Sequence, residues 1–530
     1  MSGKPKKRRE NSSITSLGKS ASLKPRNILI VAGVAAALGV LVIVKTFAAT
    51  GVTGNVTTSA GGTTANVWVA PGGSNCTYHS SEVSYSLGEA CGSLQAAWSA
   101  AAAGSVIRVI AGTYPGTQTL SGNKTAETFV IGAGPGSTVL NNLTISGDNA
   151  TIQDLSIDTG QTHNIGWSSS ASNVTLDNVP LYGAFSRVVI TTGSGIAWKN
   201  SEFGSSGDTP GPRYFCPLNG APPDNEPTLV TYGASFVTFD HITFWPFDHD
   251  DSNATCDHLE ALRLDSDHGV VHDITVSNSF FKPGSRAGSG HVFITDTSVA
   301  VPYNLTFKNN VFSGLASGSY AMQENVASGS VCNNWVFAYN FIAQEVMRGN
   351  CDAASWKWYG NLGVKPGVAC LGTYTNNVWQ SNFDHRCTTS DKWVKGTDFS
   401  TDQLGFDSTS GVLSASSPGK NAAESGGYCT SPTGLAGLDM RGGARPVEGV
   451  CDAGPYEVGA VVGGGGGGGS TPGDVNGDKK VGIVDLSLVL SNFGKTSADW
   501  TEPRCDTNGD GKVTILDLSV VLSNYGTTYP

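Results

Sequence analysis

Charge is what this sequence has least of: only 14% of its 530 residues are Asp, Glu, Lys or Arg. A surface helix needs a charged or polar face repeating every 3.6 residues, so this composition disfavours a helical chain. Basic residues are scarce where a nucleic-acid partner would need them. Nine of the 32 Lys and Arg fall in residues 1–48, which leaves 23 basic and 42 acidic residues beyond, a net of −19. Such a surface repels phosphate, and nucleic acid is excluded as a partner. No CxxC pair and no His/Cys cluster occurs, so nothing points to zinc. What is abundant is Gly, Ser, Thr and Asn, the residues of short strands and tight turns.

The basic N-terminus carries Lys6, Lys7, Arg8 and Arg9 and precedes an uncharged apolar run, Ile28 to Val44. Its length lies between a signal-peptide core and a full membrane span. Ala48 closes a small-x-small cleavage site, so residues 27–48 read either as a cleaved signal or as an uncleaved membrane anchor behind a cytoplasmic segment, 1–26. Either way the rest is exported. Ten of the 11 cysteines lie between Cys76 and Cys451, an even count in an exported region, which favours disulfides. Neighbours in sequence give Cys76–Cys91, Cys216–Cys256, Cys332–Cys351, Cys370–Cys387 and Cys429–Cys451, with Cys505 left over.

Residues 49–66 form a Gly/Thr/Ala-rich spacer, and seven consecutive glycines, Gly463 to Gly469, mark a flexible linker within 459–473. Between them a pattern recurs: a short alternating run that ends in Asn or a near substitute. It ends at Asp154, Asn178, Asn200, His241, Asn278, Asn309, Asn340, Asn361 and Asn382, at spacings of 24, 22, 41, 37, 31, 31, 21 and 21. Period-2 alternation makes each run a strand. An apolar residue follows two or three positions on, as at Phe203, Phe244, Phe281 and Phe312. Units this short bury nothing alone and must stack. The terminal Asn suits a turn in left-handed backbone and an amide bond to the next coil.

This pattern resembles a right-handed parallel β-helix of the pectate-lyase-like superfamily over residues 67–458. "VWVAPGGSN" with the following "GSLQAAWSA" resembles its first strand and capping helix, and "DMRGGARPVEGVCDAGPYE" its usual exit. The resemblance implies a polysaccharide-active protein, a lyase or glycoside hydrolase; the alternative is a noncatalytic glycan-binding or adhesive β-helix. The long units carry insertions in consecutive coils, and their loops should wall a groove. They hold Asp208, Arg213, Asp248 to Asp251, Arg286, His291, Glu324 and Arg348. The sharpest candidate is "HLEALR": Glu260 as general acid or base, His258 sharing the proton work, and Arg263 holding a uronate or developing charge. A salt-bridged structural strand is the competing reading. His241 falls on the repeating turn position and reads as structural, and Trp335, Trp356, Trp358 and Trp379 read as core or as sugar platforms.

Behind the linker, "DVNGDKKVGIVDL" and "DTNGDGKVTILDL" start 32 residues apart. Counted from the first Asp, the first repeat places Asp474, Asn476, Asp478, the Lys480 carbonyl and Asp485 at positions 1, 3, 5, 7 and 12. The second places Asp506, Asn508, Asp510, the Lys512 carbonyl and Asp517 there. This spacing wraps oxygen ligands around calcium, so two ions are expected. Each loop runs into an apolar helix. The duplicated loop-helix unit resembles a dockerin, over 474–530, and implies a cohesin-bearing scaffold or surface protein as partner. In that family positions 10 and 11 carry recognition, here Ile483, Val484, Ile515 and Leu516. The expected chain is thus a mainly β solenoid followed by a small α-helical calcium module. Its partners would be a cohesin, a polysaccharide and, if the anchor is retained, a membrane.

Overall fold

The computed structural model describes residues 64–527 except 159–164, 183–186, 205–212, 215–227, 246, 249–259, 267–268, 283–289, 296–300, 314–319, 328, 344–350, 365–369, 371, 382–383, 385, 396–403, 408–411, 425–426, 433, 461–472, 474, 476–479, 496–504, 506, 508–512 and 514. The basic segment and the apolar run lie outside these residues. No helix among the described residues is long and apolar enough to cross a membrane.

Strands stack as a parallel β-helix of three sheets, the third described as far as Tyr320–Asn325. The first sheet runs from Val67–Val69 through Ala150–Gln153, Val174–Asp177, His272–Ser277 and Tyr303–Lys308 to Thr373–Thr375. The second holds Leu181–Tyr182, Phe280–Phe281, Val311–Phe312, Phe341–Ile342 and Val378–Ser381. The third holds Ile165–Ser169, Arg187–Ile190, Thr228–Val230, Leu262–Asp265, Gly290–Thr295 and Tyr320–Asn325. Two long strands, Ser194–Phe203 and Ser235–Phe244, bend from the first sheet into the second. A short helix, α1 (Leu94–Ala100), is capped by Ser93 and buries Leu94, Ala97 and Trp98 at the start of the solenoid.

Alternation sends one residue in two to a shared core, and in-register stacking puts like on like. Phe244 and Phe281 stack at 4.4 Å, Phe281 and Phe312 at 4.7 Å, and Phe337 and Trp358 at 4.1 Å. Trp335, Trp356, Trp358 and Trp379 are all buried, so they pack the core and offer no platform to sugars.

The turn between the first and second sheets is where the recurring Asn was expected. Asp154, Asn178, Asn200, His241, Asn278 and Asn309 do adopt left-handed backbone. Asn178 donates to Asp154 at 2.8 Å and Asn309 to Asn278 at 3.1 Å. In later coils the expectation needs correcting by one residue. Tyr339, Gly360 and Asn376 take the left-handed position. Asn340 and Asn361 point inward instead, in a fully buried ladder with Asn310 and Asn377. Each amide oxygen accepts the backbone N–H of the preceding coil's Asn, at 3.0 Å for Asn310 to Asn340, 3.0 Å for Asn340 to Asn361 and 2.9 Å for Asn361 to Asn377. The ladder ends on Asp391, which accepts from both Asn377 N and Nδ2. Asn382 lies outside the described residues.

A second left-handed column stands five residues upstream, before each first-sheet strand: Asn149, Asn173, Gly195, Phe236, Asp273, Asn304 and Asn334. Asn304 donates to Asp273 at 2.9 Å and Asn334 to Asn304 at 3.0 Å.

Past Phe280 the outer face of the second sheet is apolar. The C-terminal segment covers it, with Leu404, Phe406, Leu413, Ala453 and Tyr456 packed over Val311, Phe341, Leu362 and Val378. Four predicted disulfides are present, Cys76–Cys91, Cys332–Cys351, Cys370–Cys387 and Cys429–Cys451. Cys216 and Cys256 lie outside the described residues. Cys505 forms no disulfide; it is buried and receives a bond from Asn492.

The C-terminal module has two helices, α2 (Ile483–Asn492) and α3 (Ile515–Ser523), over a small core of Val475, Val481, Val489, Val513 and Val521. Its halves exchange bonds. Val481 pairs with Gly526 and Thr527, and Val513 pairs with Gly494 and Lys495. Every one of these positions has its counterpart 32 residues away, so the sequence repeat is a structural two-fold.

Candidate functional site

The solenoid carries a cleft where the C-terminal cover stops. Its floor is the outer face of the second sheet before Phe280, with Pro180, Tyr182, Glu202 and Thr243. One wall is the left-handed turn, with Asn178, Asn200, His241 and Asn278. The opposite edge is the end of the cover, Met440, Arg441 and Tyr456, and the space is about 650 Å³.

Each polar group here is held from behind. Glu202 accepts from Tyr182 Oη at 3.2 Å and from Trp245 Nε1 at 2.7 Å. The indole fits because residue 204 is glycine. A Cβ there would lie 2.5 Å from the Trp245 Cβ, and the backbone at φ +124° suits glycine. Burial, followed by the Glu202 charge, pushes the Tyr182 phenol up to about 12, so it stays a donor. Lys282 lies over the Phe280 ring at 4.0 Å and the Trp245 ring at 5.5 Å. Arg441 is 3.2 Å from Asp439 and stands over the Tyr456 ring at 4.9 Å. Asp439 is itself fixed by the N–H groups of Arg441 and Gly443, so the "DMRGG" turn aims the guanidinium.

His241 is the exception in its column. Its neighbours Asn200 and Asn278 donate their amides to Asp177 and Asp240, whereas its own Nδ1 donates to Asp240 Oδ2 at 3.0 Å. Asp240 Oδ1 also accepts from Ser277 at 2.7 Å and Asn278 at 2.8 Å. Burial draws this carboxyl upward, but the bonds from His241, Ser277 and Asn278 outweigh it and hold it at about 2. An ionised carboxylate on Nδ1 fixes the tautomer that leaves Nε2 as the basic nitrogen. The turn repeat explains the backbone of His241. In the sequence the imidazole itself sets this residue apart, because an aspartate also precedes Asn178 in the same column.

Of the sequence candidates, Arg263 lies on the third sheet. Glu260 precedes the strand Leu262–Asp265 and is fully buried. Leu262 and Leu264 enter the core as expected, while Arg263 pairs with Asp265 at 3.1 Å and stands over Phe293 at 5.5 Å. His258 lies outside the described residues, as do Asp208, His249, Asp250, Asp251, Arg286 and Arg348. Arg213–Tyr214 pairs in parallel with Phe247–Asp248, so two consecutive insertions do stack. His291 is buried in the core and donates to the Ser313 carbonyl at 2.8 Å; Glu324 is buried too. Among the described residues no group of three or more His, Cys, Asp or Glu is placed to hold a metal.

In the C-terminal module Asp485 and Asp517 are buried at the start of their helices, and Asp485 accepts from Gly482 N at 2.7 Å. Two carboxylates buried in so small a core suit a site completed by a cation. The Lys480 side chain is exposed, which leaves its carbonyl for the ligand role. Asp474, Asn476, Asp478, Asp506, Asn508, Asp510 and Lys512 lie outside the described residues. The helices begin at Ile483 and Ile515, earlier than the sequence suggested, so positions 10 and 11 sit in a first helical turn. Ile483 and Val484 are 62% and 52% exposed and so contribute nothing to the module's core.

The family model for the dockerin type I domain matches residues 472–524. Dockerin type I domains bind calcium and attach to cohesin modules. No curated protein matches the chain. Among solved structures, pectate lyase Pel9A is 15% identical, covering 74% of this chain and 96% of its own, at TM-score 0.39. A rhamnogalacturonan lyase is 11% identical, covering 59% and 87%, at TM-score 0.37. The A-module of an Azotobacter vinelandii mannuronan C-5 epimerase is 14% identical, covering 57% and 94%, at TM-score 0.29. With its strands in continuous parallel register and residues 472–524 matched, the chain is a parallel β-helix protein that ends in a dockerin type I domain.

Proposed function

We propose that this is an exported polysaccharide-active protein, carried on a cohesin partner by its dockerin, and that its chemistry is β-elimination from a uronate polymer. The observation that supports it is the Asp240–His241 pair at the wall of a cleft edged by Arg441. A uronate carboxylate docks against Arg441, with Lys282 adding positive charge nearby. His241 Nε2 takes the proton on the carbon next to that carboxylate. The C–H electrons form the ring double bond as the β C–O bond to the neighbouring sugar breaks, and the leaving oxygen takes a proton from water. Hydrolysis calls for two carboxyl groups flanking the bond; Glu202 is the one carboxylate among the described lining residues, and Asp240 and Asp439 are engaged behind His241 and Arg441.

Glu260, His258 and Arg263 form a second proposed set; Arg263 is on the third sheet, His258 is outside the described residues, and the full burial of Glu260 disfavours direct proton transfer to a bound substrate. In the dockerin, the two loops take one calcium ion each through the ligands named above. Ile483, Val484, Ile515 and Leu516 meet the cohesin. The test is to incubate the chain with polygalacturonan, rhamnogalacturonan, alginate and glucuronoxylan, reading absorbance at 235 nm and reducing ends. Unsaturated product is expected. Reducing ends without absorbance would replace elimination by hydrolysis, and neither signal would leave the noncatalytic binder.

A further inference from the structure

The opposite edge of the first sheet breaks its own rule at one position. From Asn149 to Asn334 its described left-handed column holds Asn, Asp or Gly at every position except one, where Phe236 stands at φ 52°. A bulky side chain there is a backbone outlier. No core contact compensates, since Phe236 is 58% exposed. Four residues earlier Tyr232 repeats the anomaly, at φ 55° and 44% exposed. Two aromatic rings are thus held in strained backbone to face solvent.

The surroundings show what the rings would meet. Phe236 lies 5.9 Å from His272, and His272 stacks on Tyr303 at 4.8 Å, so three rings on three consecutive coils run along the solenoid axis. Beside them a groove of about 360 Å³ is floored by Thr238, Thr275 and Thr306 and edged by Asp273, Asn304 and Asn334. The one carboxylate is already bound, by His272 at 2.6 Å and Asn304 at 2.9 Å. Hydroxyls and amides repeat here at the strand spacing, about 4.8 Å, close to the length of one sugar residue. Among the described lining residues there is no Lys or Arg; Lys357 reaches only the edge, where it donates to Asn334 Oδ1 at 3.2 Å, and Asp273 would repel a uronate.

We propose that this groove is a second saccharide site, distinct from the cleft, that holds a neutral polysaccharide chain parallel to the solenoid with Phe236 stacked on a sugar face. The inference rests on the reading of the chain as polysaccharide-directed. Affinity electrophoresis of the full chain through arabinoxylan, mixed-linkage glucan, galactomannan and polygalacturonan tests it. Asn is the residue the column uses elsewhere, so Phe236→Asn removes the ring and relieves the backbone without endangering the fold. At least one neutral polymer is expected to retard the wild type, with binding about tenfold weaker in Phe236→Asn. Thr275→Arg, which fills the groove floor, should weaken it likewise, while His241→Ala should not. Equal retardation of wild type and Phe236→Asn, or retardation by polygalacturonan alone, would overturn the proposal. Unsaturated product from a soluble uronate substrate reports on the cleft separately, so the two readings can fail independently.

Discussion

His241 Nδ1 and Asp240 Oδ2 lie 3.0 Å apart on adjacent residues of one strand, although alternation should send their side chains to opposite faces. The left-handed backbone at His241 breaks the alternation and brings ring and carboxylate together. A structural turn thereby fixes an imidazole against a carboxylate.

The first prediction follows from that pair. His241→Ala should lower turnover on a uronate polymer by about 100-fold or more, the usual worth of a positioned base. Asp240→Asn puts an amide where Nδ1 needs an acceptor, so kcat should fall while KM stays close to wild type. Steady-state kinetics read both; an unchanged kcat in His241→Ala would remove it from the mechanism.

The buried and exposed amide ladders should differ sharply in stability. Asn340→Ala strips partners from Asn310 N and the Phe307 carbonyl inside the core. It should cost about 2–4 kcal/mol. Asn334→Ala in the solvated column should cost under about 1 kcal/mol. Denaturant titration distinguishes them.

His291 sets a pH dependence. Burial lowers its folded value from 6.5 to about 4, against a weaker upward pull from its bond to Ser313. Between those values the unfolded chain binds a proton that the folded chain does not. Stability is therefore full above pH 6.5 and falls as pH drops toward 4, by up to about 3 kcal/mol. His291→Gln should flatten that slope in melts taken across the range.

For the dockerin, calorimetry on the whole chain should count two calcium ions, and one in Asp517→Ala. Gly482→Ala should keep two, because its contact with Asp485 runs through the backbone N–H. Cohesin binding should vanish in chelator, and cohesin captured equally well in chelator would contradict a calcium-held plug.

The repeating turn residue made the solenoid legible, because one backbone conformation is demanded in every coil. The same signal misled by one position at Asn340 and Asn361. An Asn there satisfies either a left-handed turn or a buried bond, and only the neighbours Tyr339 and Gly360 decide. The second column was equally written in the chain, five residues ahead of the first. The cleft was not. Its floor and its Arg441 edge are separated by roughly 200 residues, and what joins them is the point where apolar cover ends. Glu260 and Arg263 show the converse: charges close in sequence are separated, Glu260 fully buried and Arg263 half-buried against Asp265 and Phe293.

The buried ladder also bears on how such a molecule changes length. Each link is the same: an amide oxygen received from one neighbour and an N–H given to the other. A coil copied between Asn340 and Asn361 would find both halves of its bond waiting. The end is different, because Asp391 accepts but turns its own N–H to the Thr388 carbonyl. Growth by duplication is therefore open in the middle of the rod and closed at its tip, which makes Asp391 a full stop and every asparagine before it a comma.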